Sequence, residues 1–380
     1  MSDLRRLLES HVEAGPMPGA VALVGRGEDV EVAAVGSLDT AGTAPMARDS
    51  LFRIASLTKP VTAAAAMMLI EDGVLALDAP VTRWLPELAA PVVVRTPSSP
   101  LHDVVPAEGP ITVADLLTFR AGYGFPADFS LPAVAPLFTE LKQGLPQPGQ
   151  TAAPDEWMAT LARIPLLHQP GRAWLYNTSS DILGVLIARA AGAPLPEFLA
   201  ARVFAPLGMR DTAFAVPPGQ LHRFTSCYRG EALDLVDAPD GEWSALPAFP
   251  SGAGGLVSTA DDLHAFGRML LAGGTYEGRR LLSPDSVRQM TTDHLTAAQR
   301  EAGELFLEGQ GWGFGGSVDV TRRAPWNSPG RYGWIGGTGT AAHVVPTTGT
   351  VMVLLTQREL TGATPPRLMR EFWTYAAGRA

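Results

Sequence analysis

Lysine is almost missing from this chain. Of its 29 basic residues only two, Lys59 and Lys142, are lysines, so a lysine inside a motif stands out. Cysteine is scarcer still, with Cys227 alone. One thiol excludes an intramolecular disulfide and fits a reducing compartment. Cys227 lies in the apolar-aromatic run Phe224-Thr225-Ser226-Cys227-Tyr228, where a buried, inert thiol is expected rather than a nucleophile. There is no Lys/Arg-rich run, and the formal net charge is −9. An acidic surface repels phosphate backbones and anionic lipid. Neither nucleic acid nor a membrane is therefore an expected partner; a small molecule is. Oligomeric state is not legible. Long apolar runs are also lacking. Val61–Ile70 is about half the length that a bilayer-spanning helix needs, and it ends at Glu71-Asp72. The first residues, Met1-Ser2-Asp3-Leu4-Arg5-Arg6-Leu7-Leu8-Glu9, are acidic in part and hold no apolar core of a secretory signal. A cytoplasmic protein is the expectation.

Several catalytic signatures are absent too. No serine has glycine two positions away on both sides, which removes the nucleophile elbow of Ser-His-Asp hydrolases. The seven histidines (11, 102, 168, 222, 264, 294 and 343) are too far apart for a zinc signature, and no metal or cofactor is called for. Neither lysine follows a glycine, so there is no P-loop. Gly311-Trp312-Gly313-Phe314-Gly315-Gly316 formally fits a dinucleotide fingerprint, but no helical pattern follows it.

What is present describes a folded protein, with 46% hydrophobic and 18% charged residues. Apolar spacing predicts a helix over Leu4–Glu13. Two strands, Gly19–Val24 and Val30–Val35, flank a Gly-rich turn. Leu51–Ala55 reads as a short strand or turn, and Thr58–Asp72 as a buried helix stopped by Gly73. From about Pro80 to Pro250, helical segments (Val113–Phe119, Pro154–Ile164, Ser180–Ala191, Leu195–Phe204) alternate with Pro/Gly-rich loops. The loops Pro91–Pro110 and Gly122–Pro154 are long enough to be covers or walls of a site. Beyond Ser251 come a helix at Thr259–Leu271, strands at Trp312–Val320, Tyr332–Gly336, Ala341–Val345 and Val351–Gln357, and a last helix from Pro366 to Ala377. Strands at both ends around a helical middle predict an α/β sheet domain, residues 1–79 and 250–380. A mostly helical domain, 80–249, is inserted in it.

The chemistry concentrates at Ser56-Leu57-Thr58-Lys59. A serine hydroxyl needs a base to become nucleophilic. Positions three apart share a helix face, so Lys59 can reach back to Ser56. The apolar helix behind it (Ala63, Ala64, Met67, Met68) can desolvate the ammonium, lower its pKa and make it a usable base. The bland alternative is a helix-capping hydroxyl beside a solvated lysine.

The run Phe52-Arg53-Ile54-Ala55-Ser56-Leu57-Thr58-Lys59-Pro60 resembles the first motif of serine β-lactamases, penicillin-binding proteins and family VIII carboxylesterases. So do Leu69–Pro80, Ile111–Thr118 and Gly254–Leu263, in the family's order. The resemblance spans roughly residues 10 to 360. It implies an antiparallel sheet flanked by helices, with the site between sheet and helical lobes.

By the same resemblance Tyr176, in Trp174-Leu175-Tyr176-Asn177-Thr178, is the family's catalytic tyrosine. A phenol beside an ammonium is expected to have a lowered pKa and to pass a proton to the leaving group. Thr178 stands where β-lactamases carry an asparagine that holds acylamido side chains. In Tyr332-Gly333-Trp334-Ile335-Gly336-Gly337, Trp334 replaces the lysine that attracts a β-lactam carboxylate, and Ile335 the following threonine. The Trp-x-Gly pattern is similar to that of family VIII esterases. Trp334 and Ile335 can wall a pocket for an uncharged group, and Gly336 can let substrate lie against the strand. The resemblance implies an oxyanion hole from the Ser56 and Gly337 amides. Tyr123, at the start of the second long loop, is a further pocket candidate. The expectation is a serine hydrolase with Ser56, Lys59 and Tyr176 as catalytic residues. It acts on small or short-chain esters through an acyl-enzyme. The alternatives are a β-lactamase or D-amino-acid peptidase, an acyltransferase, and a catalytically silent binding protein.

Overall fold

Alternation of buried side chains along three strands sets the architecture. In the computed structural model, which describes residues 2–144 and 147–379, helix α1 (Asp3–Ala14) leads into strands β1 (Gly19–Arg26) and β2 (Asp29–Gly36). Helices α2 (Thr58–Glu71), α3 (Thr178–Ala191) and α4 (Ala260–Leu271) follow. Then come β3 (Gly311–Trp312), β4 (Ser317–Val318), β5 (Tyr332–Gly336), β6 (Thr340–Val345), β7 (Thr350–Thr356) and helix α5 (Arg367–Gly378). The seven strands form one antiparallel sheet in the order β3-β4-β5-β6-β7-β1-β2. The N-terminal hairpin thus adds to the C-terminal strands, as the two-ended strand pattern requires.

Both faces of the sheet centre are buried. Ala20, Ala22, Met352 and Leu354 pack under α1 and α5 with Leu4, Leu8, Phe372 and Trp373. Val21, Leu23, Val353 and Leu355 point the other way, into the main core with α2 and α4. Period-two alternation on a doubly covered sheet gives continuous apolar strands. Helix α2 is Ala, Met and Leu from Ala63 to Leu69 and is buried along its whole length except at its last two residues, Ile70 and Glu71. It lies against α3, and one apolar cluster runs across both.

Several elements differ from the sequence expectation. The strand expected over Trp312–Val320 is two short strands, because Gly315 reverses the chain at φ +72° and packs on the Lys59 carbonyl. Pro91–Pro110 is no open loop; it closes a hairpin, Val92–Val94 with Val104–Pro106. Gly122–Pro154 holds a short helix, Ala135–Thr139, and its residues 145 and 146 lie outside the described residues. Between residues 80 and 249 the helices are short apart from α3, and a second hairpin joins Cys227–Arg229 to Asp234–Asp237. Cys227 is buried, and burial pushes its thiol up to about 12, which suits an inert side chain. Among the described residues no single helix is long and apolar enough to cross a membrane.

Candidate active site

Ser56 sits in a single turn of 3₁₀-helix, Ala55–Leu57, that runs directly into α2. Ala55, just before it, is held at φ +43°, a region costly for an alanine. That turn presents the Ser56 hydroxyl toward Tyr176, two residues before α3, and lies against β5. One turn along, the Lys59 ammonium donates to Ser56 Oγ at 2.7 Å and to the Ala253 carbonyl at 2.7 Å. The Tyr176 hydroxyl donates to Ser56 Oγ at 2.9 Å from the other side. Trp334 Nε1 donates to the Tyr176 oxygen at 2.6 Å. The three groups read from the sequence therefore meet at one oxygen, and Trp334 of β5 joins them through the tyrosine.

Lys59 is 1% exposed. Burial lowers its pKa to about 7, against the opposing pull of the Asp181 carboxylate. A pKa lowered this far makes the neutral amine accessible near neutral pH, as a base requires. Asp181 on α3 is buried as well, and burial raises its pKa. Ser251 Oγ (2.6 Å), Gln143 Nε2 (3.0 Å) and the Ala253 amide (3.1 Å) donate to it. Gln143 is fixed in turn by the Thr178 hydroxyl at 2.5 Å.

Tyr176 departs from expectation. Its phenol is pushed up to about 12, not down, because burial outweighs the hydrogen bonds with Ser56 and Trp334 that favour the charged form. Its ring is packed among Phe119, Trp174, Phe306, Trp312 and Trp334. Lys59 Nζ lies 4.8 Å from the ring centroid, over its face.

Ser56 opens on a cavity of about 530 Å³. Phe125, Phe129, Phe138, Leu141, Phe249 and Phe306 form much of its wall, with Trp334, Ile335 and Gly337 on the β5 side. The second long loop supplies many of these residues; the first supplies none. Two pocket candidates fall elsewhere. Tyr123 is 2% exposed in the apolar core, away from the cavity, and burial raises its hydroxyl pKa. Gly336 is not on the cavity wall, because its Cα is packed against the Ile54 carbonyl and Thr340. The Gly337 carbonyl accepts from the Leu360 amide at 2.7 Å, which pins that peptide beside the cavity. Asp181, Gln143 and Ser251 are polar neighbours that the motif reading did not single out, although Asp181 lies only five residues beyond Tyr176. The Gly311–Gly316 segment is a reversal between β3 and β4, not the entry to a helix. Among the described residues no three His, Cys, Asp or Glu side chains converge as metal ligands.

The Beta-lactamase family model matches residues 4–371. The chain belongs to this family. Protein Rv1367c of Mycobacterium tuberculosis is 41% identical over 91% of this chain and 87% of its own length. Esterase EstB of Burkholderia gladioli is 33% identical over 78% of this chain and 74% of its own. Among solved structures, EstCE1, described as a hydrolase with promiscuous acyltransferase activity, superposes with a TM-score of 0.80. It has 26% identity and covers 99% of this chain and 97% of that one. As a member of the Beta-lactamase family with esterase and peptidase relatives, the chain is a serine hydrolase. Its antiparallel sheet with flanking helices is the fold of esterase and penicillin-binding-protein structures.

Proposed function

We propose that this serine hydrolase is a carboxylesterase whose nucleophile is Ser56. The observation that carries the reading is the convergence of Lys59 and Tyr176 on Ser56 Oγ beneath an apolar cavity. Ser56 Oγ attacks the ester carbonyl while its proton passes to neutral Lys59. Tyr176, protonated because burial raises its pKa, gives its proton to the leaving alkoxide and regains one from the Lys59 ammonium, which leaves Lys59 neutral again. The Ser56 and Gly337 amides, both on the cavity wall, hold the oxyanion; one such donor is worth roughly 10²–10³ in rate. Water then adds to the acyl-enzyme as neutral Lys59 takes its proton, and that proton passes to Ser56 Oγ as the bond to the acyl carbon breaks. No step draws on a metal or cofactor.

Trp334 and Ile335 offer no cation at the position where β-lactamases place a lysine. That favours esters over β-lactams and D-amino-acid peptides. A cavity of about 530 Å³ lined by phenylalanines also accepts more than a short acyl chain. Acyl transfer is a second reading, favoured by the described promiscuity of EstCE1.

The test is p-nitrophenyl butyrate turnover with Ser56→Ala as control, followed by intact mass after a p-nitrophenyl phosphonate. Turnover should fall at least 10³-fold in the variant, and one phosphonyl adduct should map to the Ser56 peptide. An adduct elsewhere, or an active Ser56→Ala, rejects the assignment. Product analysis with added butanol separates transfer from hydrolysis.

A further inference from the structure

Lys142 is the other lysine of the chain, and it lines the same cavity as Ser56. Among the described residues on that wall, only Lys142 and Asp181 carry formally charged side chains. Asp181 is engaged by Ser251, Gln143 and the Ala253 amide. Lys142 has no ion-pair partner among the described residues, whereas the arginines elsewhere are commonly paired, as Arg189 is with Glu87 and Arg300 with Asp293. It is partly buried and shares the cavity lining with Leu141 and Phe138, an apolar setting for a cation. A cation in such a setting gains most when a ligand brings the counter-charge.

The backbone holds the lysine in place. Lys142 has φ +55°, in the left-handed region that a lysine rarely occupies. The next residue, Gln143, is tied down: its amide donates to the Leu137 carbonyl at 3.0 Å, and its side chain bridges Asp181 and Thr178. The network around the Lys59 counter-charge therefore also fixes Lys142 on the cavity wall. Elsewhere on the wall, Trp334 and Ile335 supply no charge. Away from Ser56 and its partner Lys59, an anionic group on a substrate meets a cation on the Lys142 side.

We propose that Lys142 is a specificity-determining residue that pairs with a carboxylate carried by the substrate away from its scissile bond. The preferred substrates are then esters with an apolar body and a distal acidic group. This rests on the esterase reading above.

The test uses matched acyl series. Mono-p-nitrophenyl adipate, suberate and sebacate carry a terminal carboxylate; p-nitrophenyl hexanoate, octanoate and decanoate are their neutral counterparts. The readout is the ratio of kcat/KM, acidic over neutral, at each length. In the wild-type chain the ratio should exceed about fivefold for at least one length and fall with added salt. It should collapse toward unity in Lys142→Met, persist in Lys142→Arg and drop below unity in Lys142→Glu. A ratio that stays within twofold of wild type in Lys142→Met at all three lengths overturns the proposal. Binding of the corresponding mono-ethyl and neutral ethyl esters to Ser56→Ala, followed by tryptophan fluorescence, reads the same ratio without turnover. Lys142-dependent binding with no hydrolysis by the wild-type chain retains the carboxylate site and removes the esterase reading. Hydrolysis and binding that are both indifferent to Lys142 do the reverse.

Discussion

Two opposing influences hold Lys59 at a pKa of about 7: burial, which lowers it, and the Asp181 carboxylate, which raises it. Lys59 serves as a base only when neutral, so activity is lost as pH falls through its folded pKa. Replacing Asp181 by asparagine removes the upward pull and leaves burial unopposed. The acidic limb of kcat/KM for a p-nitrophenyl ester should then move to lower pH. The plateau should also drop by roughly an order of magnitude, since Ser251, Gln143 and the Ala253 amide lose a charged acceptor. A pH profile of the two proteins checks both, and a limb that stays in place or moves up removes Asp181 from the electrostatics of Lys59. Ser56 and Lys59 were legible because their contact is local, three residues apart on one helix face. Tyr176 was legible only through the family resemblance. Its raised pKa was not, because it depends on aromatic rings from distant segments. Asp181, Gln143 and Ser251 are likewise joined by tertiary contacts that no spacing rule describes.

At the scale of elements, the site depends on how closely α2 and α3 approach the segment around Gly252. A side chain on Gly252 would stand 2.4 Å from the Ser180 carbonyl, 3.1 Å from Gly184 Cα and 3.2 Å from Thr62. Its own carbonyl accepts from Thr62 Oγ1 at 2.8 Å, and the next carbonyl, of Ala253, accepts from Lys59. Gly252→Ala therefore overpacks a junction made largely of backbone. A loss of about 2–3 kcal/mol in urea unfolding is expected, with a lower kcat as the Ala253 carbonyl is displaced from Lys59. An unchanged unfolding midpoint would show that the junction has slack. Helix α2 was readable from composition alone, being apolar from Ala63 to Ile70 and stopped by Gly73. Strand β5 was readable from Tyr332 to Gly336. The break between β3 and β4 was not, because the reversal at Gly315 is set by its contact with the Lys59 carbonyl. The hairpin in Pro91–Pro110 was hidden because its strands are three residues long, too short for alternation to register.

For the whole molecule, the two ends of the chain build the sheet while the middle builds about half of the cavity wall, so catalysis depends on what holds middle to ends. One such tie is Arg53, three residues before Ser56 and 3% exposed. Its Nε donates to the Asp237 carboxylate at 2.8 Å, its other nitrogens reach the Thr225 and Ala238 carbonyls, and its guanidinium lies 3.9 Å from the Phe224 ring centroid. The Arg53 carbonyl in turn accepts from Thr338 Oγ1 at 2.6 Å, beside Gly337. Burial opposes the Arg53 charge and the Asp237 carboxylate compensates for it. Asp237→Ala leaves that guanidinium buried without its counter-ion and should cost about 3–5 kcal/mol in urea unfolding. Arg53→Met combined with Asp237→Leu removes both charges and should recover much of the loss. The single variant should also lose esterase activity at temperatures where it remains folded, because the strand before Ser56 and the turn after β5 are aligned through this residue. If the single variant unfolds at the wild-type midpoint, the pair does not join the lobes, and the alignment of Ser56 must come from the apolar contacts of α2 and α3 alone.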